Sequence, residues 1–347
     1  LTEQPIPLRD QRWPEGTPPV VSIFCITYNH EKFIRDAIEG FLMQETTFPV
    51  EIFVHDDASK DGTQAILKQY QEKYPHLFRM ILQKENQWST RGTGALYDLL
   101  QGMRGEYTSL CEGDDFWTDK NKLQKQHDLL KNFPSSVLAG GFAKTLGSKP
   151  EYLFGPREHK EAFELRELFD QGIHTSTYFY RTRDMHFPDW VFSGERANGD
   201  IIMQTLAAQK GPVRMSPDIL SIYRVHSGGV WSGTKASVKI RKNQETWSLL
   251  DQHLSGQYSG QIRSAQIKLA RSESKRVGVD GMIGEAYRIF FITLKRYFPG
   301  QLLEILLWFF AIPTYRFEKL KNRITKRIAF RTRIKKIIKK KSFFSSS

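Results

Sequence analysis

Short apolar runs and amphipathic stretches alternate over the first third of the chain. Val20-Val21-Ser22-Ile23-Phe24-Cys25-Ile26 is a continuous apolar run of the length of a buried strand. From His30 to Gln44 the apolar positions Phe33, Ile34, Ala37, Ile38, Phe41 and Leu42 form a helical stripe. Val50 to Val54 predicts a second strand, and Asp61 to Tyr74 a second helix with Ser59 and Asp61 as candidate caps. A third strand is predicted over Phe78 to Leu82, a helix over Gly94 to Met103, and a fourth strand over Tyr107 to Cys111. A further helix follows from Lys120 to Asn132, with Asp119 as its candidate cap. This strand–helix alternation predicts an α/β fold, a mostly parallel sheet with helices on both faces.

The pattern then changes. Ser135 to Ser227 mixes short strands with one helix from Gly199 to Gln209, and after Ser232 the periodicity is helical through Arg296. The expected organisation is an N-terminal extension over 1–17, an α/β domain over 18–232, a helical region over 233–312 and a basic tail over 313–347.

Ligands of parallel sheets bind beyond the carboxyl ends of the strands. The polar clusters fall there: Thr27-Tyr28-Asn29-His30, His55-Asp56-Asp57 and Glu112-Gly113-Asp114-Asp115. Neighbouring half-buried carboxylates repel one another, and a divalent cation such as Mg²⁺ or Mn²⁺ relieves that repulsion through oxygen ligands. An Asp-Asp pair alone is more often a turn or a cap. Asp56-Asp57-Ala58-Ser59 also reads as an Asx-turn, or as the phosphoacceptor of a receiver-like domain. A receiver, however, would not need the second acidic strand end or the segments around Asp200 and His226.

Charge changes the picture less than its total suggests. The chain of 347 residues carries 51 Lys plus Arg against 38 Asp plus Glu, a formal charge of +13. Of these, 13 basic residues and one Glu lie in 313–347, leaving 38 against 37 in the body. The tail carries +12 and the body +1, so nucleic acid is not the expected partner. Apolar residues at Phe317, Leu320, Ile324, Ile328, Ile334, Ile337 and Ile338 give the tail the stripe of a basic amphipathic helix, suited to an anionic membrane surface. The preceding run, Leu302 to Ile312, falls short of the roughly 20 residues that span a bilayer. Two placements are open for it: the membrane interface, with Trp308 at headgroup level, or a core helix. Leu1 to Pro19 has no apolar h-region. Cys25 and Cys111 are too few for a disulfide scaffold and read as reduced core residues. The expected location is cytoplasmic, peripheral on the inner face of the cell membrane.

Three segments together carry a resemblance. Val21 to His30, Val54-His55-Asp56-Asp57-Ala58-Ser59-Lys60-Asp61-Gly62-Thr63, and Gly105-Glu106-Tyr107 running into Glu112-Gly113-Asp114-Asp115-Phe116-Trp117 resemble family 2 glycosyltransferases of the GT-A fold, the group that builds bacterial surface polysaccharides. The resemblance covers about residues 18–232 and implies a Rossmann-like sheet and an inverting transfer from a nucleotide-sugar, expected to be a UDP-sugar. It implies that Ile26, Thr27 and Tyr28 line the nucleotide pocket and that Asp57, with Asp56 beside it, partners the base. Glu112-Gly113-Asp114 stands where the family's Asp-x-Asp motif stands, with Glu in place of the first Asp. Asp114, Asp115 and His226 are then the metal ligands on the donor diphosphate. Asp200, preceded by Gly199 where the family often has Glu, is the expected general base; its other reading is a first-turn carboxylate. His174 and Thr175 are placed on the acceptor side. Where the family commonly shows an Arg-Asn helix start this chain has Leu96-Tyr97, and Arg91 is the candidate to supply the missing charge. The implied acceptor is lipid-linked or an oligosaccharide. Rival readings are a sugar nucleotidyltransferase, which would usually show a Gly-rich loop after the first strand, and a non-catalytic nucleotide-binding protein.

Overall fold

The computed structural model describes residues 4–297, except 149, 159, 170, 193–197 and 230, together with Trp308 and Ile312. The basic tail therefore lies outside the described residues. The chain divides into two units, Leu1–Gly233 with Glu245–Tyr258, and Thr234–Gln244 with Ser259–Ser347.

The first unit is built on one sheet. Strands β1 (Val21–Thr27), β2 (Val50–Asp56), β3 (Phe78–Leu82) and β4 (Tyr107–Leu110) are parallel, in the order β3-β2-β1-β4. Beyond β4 the sheet is mixed. β5 (Phe116–Trp117) is a short strand, and β6 (Leu138–Leu146) carries β7 (Leu153–Phe154) antiparallel along its outer end. β8 (Phe179–Arg181) runs antiparallel between β4 and β6, and the long β9 (Val213–Arg224) runs parallel to β6. β5 pairs antiparallel with the end of β9, joining Phe116 to Ile222 and Trp117 to Ser221. This pairing brings the segment after Asp115 to the residues just before His226.

Period-two alternation decides which side chains fill the core. Val21, Ile23 and Cys25 of β1, with Ile52 and Val54 of β2, pack on Ile34, Ala37, Ile38 and Phe41 of α1 (Ile34–Leu42). On the opposite face Phe24 and Phe53 stack at 5.8 Å. α2 (Thr63–Lys73), α3 (Gln87–Arg91), α4 (Thr93–Gln101), α5 (Lys122–Asn132) and α6 (Gly199–Lys210) complete the helices of this α/β layer. Ile6–Pro7 pairs with Glu45–Thr46, and Leu8 is fully buried, so the N-terminal extension is packed into this unit.

Two helix starts differ from the sequence pattern for one reason. Residues 29–31 use their N–H groups across the strand ends: Asn29 donates to Ser59 Oγ at 2.8 Å, His30 to Thr63 Oγ1 at 2.9 Å and Glu31 to Asp61 Oδ2 at 3.1 Å. The first helix is thereby delayed from His30 to Ile34. Ser59 is an inter-loop acceptor rather than a cap, while Asp61 also takes Thr63 N–H at 3.0 Å, where α2 begins. Asn29 and Ala58 both sit at positive φ, 56° and 66°. Asn tolerates this conformation, whereas Ala58 carries a cost of about 1 kcal/mol.

In the second unit, α8 (Ser259–Val279) and α9 (Ile283–Tyr297) pack with the start of α7 (Ala236–His253) around Ile240, Ala270, Val277, Ile289, Phe290, Trp308 and Ile312. Trp308 is fully buried, its indole N–H donates to Ser274 Oγ at 3.1 Å, and its ring meets Phe290 edge-on. This corrects the placement of Trp308 at headgroup level: the residue is a core anchor. Residues 245–258, expected with the helical region, group with the first unit. Among the described residues no helix is long and apolar enough to cross a membrane.

Candidate active site

The acidic turn after β4 is fitted against β1. Gly113 N–H donates to Ile26 C=O at 2.8 Å, and Asp57 N–H donates to Thr27 C=O at 2.9 Å. A Cβ on Gly113 would stand 2.8 Å from Thr27 Oγ1 and 2.9 Å from Ile34 Cδ1. Only glycine lets the turn approach this closely. The expected pocket residues Ile26 and Thr27 thus act through their carbonyls in docking the turns, while the Tyr28 ring is 42% exposed and open to a ligand.

The four carboxylates expected here have four different surroundings. Asp114 is partly exposed and lies between two imidazoles: its Oδ2 is 3.1 Å from His226 Nε2 and 3.7 Å from His30 Nε2. Asp115 is buried, and its Oδ1 accepts the backbone N–H of Arg224 at 2.8 Å. Burial, then Glu112 and Asp114, push its pKa well above the usual carboxylate range. Glu112 accepts Thr175 Oγ1–H at 2.7 Å, and its other oxygen is buried without a partner. Burial raises it to about 7, and Asp114 and Asp200 act in the same direction. Asp200 lies in the first turn of α6, where Oδ1 accepts Ile201 N–H at 2.9 Å; burial raises its pKa.

Among the described residues no group of three or more His, Cys, Asp or Glu is arranged to hold a metal ion. The expected trio of Asp114, Asp115 and His226 breaks at Asp115, whose carboxyl is buried and held by the β9 backbone. The remaining pair fits a divalent ion shared with a substrate. A separation of 3.1 Å matches that of neighbouring ligands at the bond lengths of about 2.1 Å that small divalent cations take. The residue that sequence reasoning passed over is His30. Its Nδ1 is buried without a hydrogen-bond partner, and burial lowers its pKa, so the ring is held neutral. Its signal was position, three residues past the end of β1.

Arg224 is the second residue passed over. Its guanidinium donates to Asp114 C=O at 3.1 Å, pairs with Asp36 of α1, and lies over the rings of Phe33 and Phe116. It fixes the backbone of the acidic turn from both sides.

Other expected site residues have different occupations. Asp56 is fully buried and accepts Ser59 N–H at 2.9 Å, Ser59 Oγ–H and Gln64 Nε2–H at 2.6 Å, which makes it the anchor of the Asx-turn. Asp57 receives the N–H groups of Gln87 at 2.6 Å and Trp88 at 3.0 Å, so its carboxylate holds the first turn of α3. Arg91 is ion-paired with Asp98 of α4 on the exposed side of that helix pair. His174 stands at the start of a 3₁₀ turn, its ring 4.2 Å from that of Tyr223 and its Nδ1 2.8 Å from Ser176 Oγ. Burial lowers its pKa to about 4. His174 is a neutral wall residue behind Asp115, and Thr175 faces Glu112. Cys25 and Cys111 are both free and buried.

Known proteins are similar to this chain in sequence or in fold. The family described as glycosyl transferase family 2 matches residues 22–193, and that segment belongs to it. An uncharacterized protein of Mycobacterium tuberculosis is 35% identical over 224 residues, 61% of this chain and 60% of its own length. The chain thus spans about 60% of the length of the curated relatives it matches first. TuaG of Bacillus subtilis, named for glycosyl transfer in teichuronic acid biosynthesis, is 32% identical over 32% of this chain and 42% of its own. Among solved structures, S. aureus TarS 1-349 in complex with UDP-GlcNAc aligns with TM-score 0.51 at 18% identity, covering 90% of this chain and 91% of that one. The Pyrobaculum calidifontis mannosyltransferase PcManGT, in complex with GDP-Man and Mn²⁺, aligns with TM-score 0.50 at 16% identity, covering 91% and 85%. The fold is of the GT-A type, an α/β sheet followed by a helical region.

Proposed function

We propose that the protein is an inverting glycosyltransferase, taking a sugar from a UDP-sugar to a lipid-linked or oligosaccharide acceptor in surface polysaccharide synthesis at a membrane. The observation that carries this reading is Asp114, held between two imidazoles at the carboxyl end of a parallel sheet, in a chain whose residues 22–193 belong to glycosyl transferase family 2. The nucleoside would lie across the ends of β1 and β2, with the exposed Tyr28 ring beside the base and α3, held by Asp57, as the far wall. Asp114 and His226 would hold Mg²⁺ or Mn²⁺, which neutralises charge on the leaving diphosphate when bound. The UDP-GlcNAc and GDP-Man complexes of the two fold neighbours support a nucleotide-sugar donor.

Asp200 is assigned as the general base. The acceptor hydroxyl oxygen bonds to the anomeric carbon, the bond from that carbon to the phosphate oxygen breaks, and the nucleoside diphosphate leaves with the electron pair. The hydroxyl proton passes to Asp200. Burial makes this carboxylate a stronger base than a solvated one. One displacement inverts the anomeric centre. The test is Asp200→Asn: transfer falls by roughly 10²–10⁴-fold while Mn²⁺-dependent UDP binding is kept. Transfer at wild-type rate would remove the base assignment, and no thermal stabilisation by UDP, GDP or TDP with Mn²⁺ would remove the transferase reading.

A further inference from the structure

Four consecutive residues, Thr175-Ser176-Thr177-Tyr178, are each held by a side chain from β4, the acidic turn or the segment that follows it. Thr175 Oγ1 donates to Glu112 at 2.7 Å, and Trp117 Nε1–H donates to Ser176 C=O at 2.7 Å. Gln126 Nε2–H donates to Thr177 C=O at 2.8 Å, and Ser109 Oγ–H donates to Tyr178 C=O at 3.0 Å. Ser109 Oγ in turn accepts from Nζ of the fully buried Lys122 at 2.7 Å. A short 3₁₀ turn leaves carbonyls without regular partners, and here those of residues 176–178 are satisfied from the segment that carries Asp114. The other end of Tyr178 points at α6: its phenol donates to the backbone C=O of Asp200 at 3.1 Å.

We propose that Tyr178 is a positioning residue that sets Asp200 at a fixed place relative to the acidic turn. The inference rests on Asp200 being the base. The phenol is suited to the task. It is fully buried, and burial, then Asp200 and Glu112, push its pKa well up, so it remains a donor at any working pH. The bond runs to a carbonyl within the helix, which keeps its role as an intrahelical acceptor if the phenol is lost. Tyr178→Phe removes one oxygen from a packed ring and leaves no buried polar atom newly orphaned.

The experiment compares the full chain, Tyr178→Phe and Asp200→Asn in two measurements. The first is UDP release from a panel of UDP-sugars with Mn²⁺. Tyr178→Phe lowers kcat by roughly 10–100-fold, the penalty of displacing a reacting group by about 1 Å, with KM for the donor within twofold. Rates are taken per mole of Mn²⁺-dependent UDP-binding sites, because a smaller folded fraction would also lower the apparent kcat at unchanged KM. The second is amide hydrogen exchange, which needs no turnover: exchange over 202–205 rises in Tyr178→Phe while exchange over 107–110 is unchanged. Exchange over 202–205 equal to wild type, or kcat within twofold of it, overturns the proposal. If Asp200→Asn itself turns over normally, the base assignment fails, and exchange alone still decides whether Tyr178 tethers α6.

Discussion

Asp114 and His226 are 112 positions apart, yet Oδ2 of the one lies 3.1 Å from Nε2 of the other. The contact exists because β5 and β9 pair antiparallel directly beside it and because Arg224 holds the carbonyl of Asp114. The pair is expected to govern metal-dependent nucleotide binding. A ligand at 100 times its Kd stabilises a fold by about 2.7 kcal/mol, several degrees in Tm for a unit of this size. Asp114→Asn and His226→Ala should each abolish the part of the UDP-induced shift that needs Mn²⁺. A thermal-shift titration with and without the metal checks this, and retention of the full Mn²⁺-dependent shift in Asp114→Asn would exclude it as a ligand.

Asp56 and Asp57 are adjacent but should respond differently. Asp56→Ala strips three hydrogen bonds from a buried carboxylate and leaves their donors without it. At about 1–3 kcal/mol for a buried group left unsatisfied, it should cost roughly 3 kcal/mol. Asp57→Ala loosens the first turn of α3, a loss of about 1 kcal/mol typical of a cap, but it removes a wall of the nucleoside site. Denaturant unfolding should rank Asp56→Ala as less stable. Calorimetric titration with UDP should rank Asp57→Ala as the weaker binder.

The parallel half of the sheet was legible because each strand is a short apolar run and each helix shows its stripe. The strand ends were legible as a site because polar clusters follow the apolar runs. The division of labour inside those clusters was not. Asp56 and Asp57 are the same residue type at neighbouring positions, and only the loop pairing Asn29–Ser59 and the location of α3 assign one to a turn and the other to a helix start. Asp115 reads like Asp114 until the β9 backbone is seen to take its carboxylate. His30, Arg224 and Tyr178 were not singled out because their partners lie far along the chain, at Asp114, Asp36 and Asp200. In the mixed half of the sheet β5, β7 and β8 have only two or three residues, too short for a period to show.

Lys122 gives a pH prediction. Its ammonium is buried over the Trp117 ring, and burial lowers its pKa to about 7. An unfolded Lys titrates near 10.4. Between these values the unfolded chain binds the proton and the folded one does not, so this residue makes stability rise with pH from about 7 toward 10. Below pH 7 the charged form is buried at full cost. Lys122→Met keeps the stem and leaves Ser109 free to hold Tyr178. It should stabilise the first unit at pH 6–7 by about 1–2 kcal/mol, a discounted part of the 1.36 kcal/mol per pKa unit, and flatten the slope between pH 7 and 9. Parallel slopes for wild type and variant would mean that Lys122 keeps its proton in the fold.

The basic tail should carry membrane attachment, and burial of Trp308 fixes where to cut. Removing everything after Gly300 would extract Trp308 and Ile312 from the core of the second unit, and any loss of vesicle binding could then come from unfolding. Cutting after Ile312 keeps both residues and removes 13 of the 51 Lys and Arg residues. Each basic residue near an anionic surface contributes about 1 kcal/mol, so even partial engagement outweighs a single lipid anchor. The full chain should sediment with vesicles containing phosphatidylglycerol, bind pure phosphatidylcholine less, and release as salt shortens the Debye length from about 10 Å at 0.1 M to 3 Å at 1 M. The chain ending at Ile312 should stay in the supernatant and keep its UDP-induced thermal shift. Sedimentation of that shortened chain with anionic vesicles would move the attachment into residues 1–312.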